Sequence, residues 1–223
     1  MAQILLLISL LVLSMYYNLS QVRKPGRWLG RLFLWTMNIS HSEVTDWGLS
    51  HAEIGKDFTI LDVGCGGGRT IQKLATIAIQ GRVYGVDIAD GSIAASRSKN
   101  AQLIDQGRVE IKRASVSLLP FPDDYFDVVT AVETHYYWSN IVTDFQEILR
   151  VMKPNGTLVN IAESYNRGNM HKNSPWLETK ILKFRQLSVE EHRRIFSMAG
   201  FSNVQVFEDA KRGWLCGIGR KPK

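Results

Sequence analysis

Residues 58–87 read FTILDVGCGGGRTIQKLATIAIQGRVYGVD. Two apolar runs, Thr59-Ile60-Leu61 and Val83-Tyr84-Gly85-Val86, each end in an acid, Asp62 and Asp87. Between them stand Gly64, Gly66, Gly67 and Gly68, then a stretch that predicts helix over 70–79. Glycines let a backbone turn tightly and approach a ligand closely. A carboxylate closing the second run is placed to accept both hydroxyls of a ribose. The segment therefore predicts a strand, a ligand-facing turn, a helix and a second strand, the unit from which nucleotide-binding parallel sheets are built.

Outward from this unit, strands and helices alternate. Strands are expected at 58–63, 82–87, 108–113, 126–132 and 157–162, and helices at 70–79, 90–105, 142–152 and 188–199. A final hairpin is expected from 203–208 and 213–219, and Asn155-Gly156 after Pro154 is expected to stop a helix and turn the chain. Strands that are apolar throughout are buried on both faces, which is the mark of a parallel sheet. The expected fold is α/β: a Rossmann-like, doubly wound, mostly parallel seven-stranded sheet with an antiparallel C-terminal hairpin and an N-terminal helical extension. Ligands on such sheets bind at the carboxyl ends of the strands. Attention therefore falls on Gly64–Gly68, Asp87-Ile88, Ala114–Val116, Glu133–Trp138 and Glu163–Tyr165.

The dinucleotide fingerprint requires G-x-G-x-x-G. Gly64 and Gly66 fit the first two places, but the third is Arg69. What remains, Asp62-Val63-Gly64-Cys65-Gly66-Gly67-Gly68, resembles the first motif of the class I S-adenosylmethionine (SAM) methyltransferases. Leu119-Pro120-Phe121-Pro122-Asp123 ahead of Phe126-Asp127-Val128-Val129, and Glu147–Gly156 (EILRVMKPNG), resemble stretches of the ubiquinone/menaquinone-biosynthesis type of that family. The resemblance covers about residues 55–220. It implies SAM as cofactor, with Gly64 and Gly66 beside its methionine part and Asp62 supporting the turn. Asp87 would hold the ribose hydroxyls, Ile88 would pack on the adenine, and Glu133 would stand beside the cofactor. Ser115 and Val116 occupy places where the family shows Asp-Ala against the adenine. Ser115 departs from that pattern and leaves a hydroxyl where a carboxylate contact is usual.

The resemblance places substrate-facing residues in Glu133-Thr134-His135-Tyr136-Tyr137-Trp138. His135 titrates in the range of a general base and Tyr136 offers a hydrogen bond, so these two are the candidate catalytic residues. Against this stands a reading in which His135 is a satisfied strand-end histidine, with Tyr137 and Trp138 in the core. His41, Trp47 and His51 are candidates for a lid over the same site. Glu190-Glu191-His192 reads as a helix cap and solvated face, and His171 sits in a polar loop over 167–175. The segment has no Asp/Asn-Pro-Pro-aromatic motif, which disfavours methylation of exocyclic amines in nucleic acid. The expected acceptor is a small molecule held by aromatic walls. The alternatives are a methyltransferase acting on protein or RNA, and a SAM-binding module without catalysis.

The 223 residues carry 27 Lys+Arg against 21 Asp+Glu, a formal charge of +6. The excess is scattered instead of lining one element with aromatics between, so a nucleic-acid partner is not expected. Cys65 and Cys216 show no metal-ligand spacing, no metal is expected, and a reducing compartment follows. Three regions are expected: an apolar segment over 1–22, a helical cap over 23–54 and the catalytic domain over 55–223. Residues 2–19 would span about 27 Å as a helix, near the thickness of a hydrocarbon core. Arg23, Lys24, Arg27 and Arg31 follow that run, which places them on the cytoplasmic side. The expectation is a cytoplasmic enzyme with membrane contact through 2–19; the competing reading packs that helix on the enzyme or on a partner.

Overall fold

A computed structural model of the chain describes residues 42–168 and 186–223. The apolar run at 2–19, residues 23–41 of the expected cap (His41 among them) and His171 lie outside the described residues. Among the described residues, no helix is long and apolar enough to cross a membrane.

The elements in chain order are α1 (Ser42–Leu49), β1 (Thr59–Val63), α2 (Arg69–Ile77), β2 (Arg82–Asp87), α3 (Asp90–Lys99), α4 (Ala101–Asp105) and β3 (Val109–Arg113). There follow β4 (Phe126–Val132), a 3₁₀ turn (His135–Tyr137), α5 (Ile141–Val151), β5 (Met152–Ala162), α6 (Val189–Ala199), β6 (Ser202–Asp209) and β7 (Trp214–Arg220). One seven-stranded sheet has the order β3-β2-β1-β4-β5-β7-β6. The first five strands run parallel, and β7 joins β5 antiparallel, with β6 antiparallel beyond it. The doubly wound expectation is met.

Burial explains the continuous apolar runs. Leu61, Val86 and Val129 pack with Phe145 and Ile148 of α5 and Phe196 of α6 on one face. Ile60, Val83 and Val128 of the same three strands pack on the other face with Ile71 and Leu74 of α2. Alternate side chains thus enter different cores, and neither face of the central strands meets water.

Two boundaries depart from expectation. The helix expected over 90–105 is broken at Asn100 (φ −108) into α3 and α4. The buried Asn100 amide donates to the carbonyls of Gly68 (3.0 Å) and Ser96 (2.9 Å). Asn side chains compete for backbone groups in this way; here the competition ties α3 to the glycine turn. Likewise, Pro154-Asn155-Gly156 does not stop α5, which ends at Val151 and passes directly into β5. The turn residues lie inside a strand irregularity instead. Asn155 takes φ +63, and a Cβ on Gly156 would lie 2.8 Å from the Lys153 carbonyl.

Capping of α6 follows from sequence. Ser188 accepts from the Glu191 N–H and Glu191 reaches back to the Ser188 N–H, a reciprocal capping box.

Candidate functional site

The strand order reverses between β1 and β4, and a cleft of ≈ 270 Å³ opens at their carboxyl ends. The glycine turn forms its floor. The N–H groups of Gly64 and Cys65 both donate to the Val86 carbonyl (2.8 and 2.9 Å), fastening the turn to β2. Gly64 has φ +73, and a Cβ there would lie 2.2 Å from Thr134 Oγ1, so the turn and the segment after β4 meet with no room for a side chain. Gly66 has φ +48, and a Cβ on it would meet nothing nearer than the Gly64 carbonyl at 4.0 Å, which leaves its backbone open to a ligand.

Asp87 joins this floor to the wall. Its Oδ2 accepts from the Gly66 N–H (3.0 Å) and its Oδ1 from the Ala89 N–H (2.8 Å). Burial holds its carboxyl above the usual carboxylate range, and these N–H donors work against that rise. The next residue, Ile88, lies in the cleft wall and is 48 % exposed, an apolar face large enough to matter and covered by nothing described. Ser115 and Val116 line the far side. Gly64, Gly66, Asp87, Ile88, Ser115 and Val116 therefore come together on one cleft.

Asp62 does not line that cleft. It is buried beneath the turn, accepts from Thr130 Oγ1 (2.7 Å), and desolvation pushes its carboxyl up to about 7. Glu133 reaches the cleft edge at φ +56, with its carboxylate accepting from the Glu163 N–H.

The two candidate catalytic side chains are not brought to the cleft. His135 is 1 % exposed and its ring lies 4.2 Å from that of Tyr136 and 5.2 Å from that of His192. Neither of its ring nitrogens has a hydrogen-bond partner among the described residues. Burial, and then the neighbouring His192, hold its pKa well below 6.5. Tyr136 is equally sealed; its hydroxyl donates to the Ser164 carbonyl (3.0 Å). The reason is local geometry. The chain after β4 turns as a 3₁₀ helix over His135–Tyr137, where residues three apart share a face. Thr134 and Tyr137 consequently face the cleft, with Trp138 beside them, while His135 and Tyr136 point inward.

Of the candidate lid residues, Trp47 and His51 do not line the cleft, and of the expected solvated face His192 is buried. α1 offers the cleft Ser42 and Thr45, while Trp47 packs on Trp214 (5.9 Å) and His51 stacks on Phe207 (4.2 Å), away from it. His192 belongs to the buried side of α6.

Other cleft residues escaped sequence reading. Lys73 of α2 lines it and donates to Ser42 Oγ (2.9 Å) and to Asp46. Ser117, on the loop after β3, and Asp144, on α5, meet at 2.6 Å. The helical run of α5 concealed Asp144, because nothing in its spacing separates an inward carboxylate from a solvated one. Among the described residues, no group of three or more His, Cys, Asp or Glu is placed to hold a metal.

The residues present fit SAM. An open, glycine-only backbone stands beside a strand-end carboxylate that lines the cleft, and an uncovered apolar side chain stands where a purine would lie.

Comparison with known proteins agrees. A family described as "Methyltransferase domain" matches residues 61–160. The chain is 36 % identical over 101 residues to a demethylmenaquinone methyltransferase of Symbiobacterium thermophilum, covering 45 % of this chain and 40 % of that one. It is 35 % identical over 121 residues to the ubiquinone/menaquinone biosynthesis C-methyltransferase of Geobacter sulfurreducens, covering 51 % and 44 %. The matched stretches thus span less than half the length of these two relatives. In fold, it superposes on a SAM-dependent methyltransferase from Aquifex aeolicus with a TM-score of 0.70 at 22 % identity, covering 86 % of this chain and 98 % of that one.

Proposed function

We propose that the chain acts as a class I SAM-dependent methyltransferase, as the family match over residues 61–160 and the two relatives support, and that it transfers the methyl group of SAM to a small, largely apolar molecule seated against Thr134, Tyr137 and Trp138. The observation that carries this reading is that the glycine turn and the aromatic segment after β4 form one continuous cleft, in contact at Gly64 and Thr134.

Bound SAM supplies an electrophilic methyl on a sulfonium, and the reaction is an in-line displacement at that carbon. The protein's part is alignment and exclusion of water. Asp87 accepts the ribose hydroxyls, Ile88 covers one face of the adenine, and the backbone at Gly66 receives the methionine part. The faces of Tyr137 and Trp138 suit a cationic donor and an apolar acceptor alike. His135 takes no proton in this scheme, since it is sealed from the cleft. An acceptor that enters as its anion, a phenolate for example, has already given its proton to solvent and needs no base in the cleft. The two relatives are named for demethylmenaquinone and for ubiquinone/menaquinone biosynthesis, which supports a small-molecule acceptor here.

The test is methyl-label transfer from SAM by the full chain to a panel of hydroquinones and phenols, with lysate protein and RNA as competing acceptors. Tyr137→Ala and Trp138→Ala are expected to lower transfer to the small acceptor by about 10- to 100-fold through misalignment, while binding of S-adenosylhomocysteine is retained. Label appearing only in macromolecules would overturn the acceptor class. Cofactor binding with no product on any acceptor would favour a module without catalysis.

A further inference from the structure

We propose that the chain recognises the adenine edge of its cofactor through Ser117 as hydrogen-bond acceptor and Ser115 as donor, with the buried Asp144 fixing the direction of the Ser117 hydroxyl. The inference rests on the SAM reading above and concerns the place where the usual carboxylate is missing.

The geometry starts at the ribose acid. The Ala114 N–H donates to the Asp87 carbonyl (3.0 Å), so the turn that follows stands one strand beyond the ribose carboxylate. That turn closes with the Leu118 N–H on the Ser115 carbonyl (3.1 Å). Ser115 and Ser117 are both exposed and both line the cleft. Asp144, only 1 % exposed, approaches from α5 and accepts from Ser117 Oγ at 2.6 Å.

A carboxylate of this kind offers acceptors only, so the contact fixes polarity. The Ser117 proton points at Asp144, and the oxygen lone pairs are left to the cleft. Ser115 has the opposite polarity: its Oγ accepts from the Ser117 N–H (3.2 Å), and its own proton has no acceptor among the described residues. The turn therefore presents an acceptor and a donor side by side. Adenine presents the complement, a donating amine next to the accepting ring nitrogen N1. Hypoxanthine inverts both positions, with a carbonyl oxygen next to an N1–H.

The direction is not free to relax. The second oxygen of Asp144 accepts from the Asn140 N–H (3.3 Å). Further along α5, Glu147 accepts from the Leu119 N–H (2.8 Å), and Arg150 donates to the carbonyls of Leu119 (3.1 Å) and Phe121 (3.0 Å). Positions 144, 147 and 150 recur at a spacing of about three, so one helix face clamps the whole loop after β3.

Calorimetric titration of the full chain with S-adenosylhomocysteine and with S-inosylhomocysteine, its hypoxanthine counterpart, tests this. The unsubstituted chain is expected to prefer the adenosyl ligand by roughly 5- to 150-fold, the span of one bidentate base-edge contact. Ser117→Ala should weaken the adenosyl ligand more than the inosyl one and bring the ratio toward parity. Ser117→Thr should preserve the ratio. Asp144→Asn, which frees the hydroxyl to reverse, should shrink it. Asp144 is a positioning residue, and a merely structural role would weaken both ligands alike. If Asp144→Asn fails to fold, Ser117→Ala decides alone. An adenosyl preference unchanged in Ser117→Ala would overturn the inference and leave the cofactor reading intact. Binding of neither ligand by the unsubstituted chain would overturn both.

Discussion

Replacing Asp87 with Asn removes one charge and exchanges one acceptor oxygen for a donor, with almost no change in size. In the native site each carboxylate oxygen already holds an N–H, from Gly66 and from Ala89. The Ser92 hydroxyl and the Ile88 N–H bear on the same carboxylate, which lines the cleft where two ribose hydroxyls would be received. An asparagine keeps one oxygen for one hydroxyl, whichever way its amide is turned. The second contact is lost, and the amide nitrogen opposes one of the two backbone donors. A hydrogen bond to a charged group is worth about 1.5–3 kcal/mol, so the dissociation constant for S-adenosylhomocysteine should rise about 10- to 150-fold. Stability should respond far less. Burial holds the Asp87 carboxyl above its usual range, so the charge is a cost in the folded state that asparagine does not carry. That relief offsets the opposed donor, and a residual of about 1 kcal/mol moves the melting temperature by about 2–4 °C. Calorimetry on the full chain and a ligand-free melt give both numbers. Affinity within twofold of the native chain would refute the ribose assignment. A melting-temperature loss large enough to unfold the protein at the titration temperature would refute the division between binding and folding.

Two further expectations follow from the same geometry. Gly64→Ala puts a Cβ 2.2 Å from Thr134 Oγ1 at φ +73, whereas Gly66→Ala puts one into open cleft at φ +48. Both variants carry about 1–2 kcal/mol of left-handed strain and both should lose cofactor affinity, but only Gly64→Ala should melt well below that level; equal melting losses would refute the contact. His135 and His192 are both held below 6.5 by burial, so the unfolded chain takes up protons first as pH falls. The stability they contribute is full above about pH 6.5 and drains away below it. Melts from pH 8 to 5 should show that decline and His135→Phe should flatten it; a pH-independent melting temperature would refute the assignment of two neutral buried rings.

The fold was legible because its signals are local and redundant. Val83–Val86 has no alternative to burial on both faces, and Gly64–Gly68 has no helical or extended reading. The cofactor wall was legible for the same reason, since Asp87 and Ile88 sit at a strand end whose place in the sheet follows from the topology. The acceptor wall was not. Whether His135 or Tyr137 faces the cleft depends on a single 3₁₀ turn, and a rotation of one residue exchanges the set that is buried for the set that is exposed. Asn100 and Asp144 were missed because their partners, Gly68 and Ser117, are 32 and 27 residues away and no periodicity links them.

The clamp of α5 on the loop after β3 has a consequence for how this protein can diversify. Residues 134–139 run between two anchors. At one end the Glu133 N–H is held by the Ile161 carbonyl, and at the other α5 is tied down through Asp144, Glu147 and Arg150. Neither anchor uses a side chain from the stretch between them. Within that stretch the buried His135 and Tyr136 are fixed by packing, so variation is open at Tyr137, Trp138 and Ser139, which line the cleft: drift at these three positions reshapes the cleft wall while the turn at Gly64–Gly68 is inherited intact.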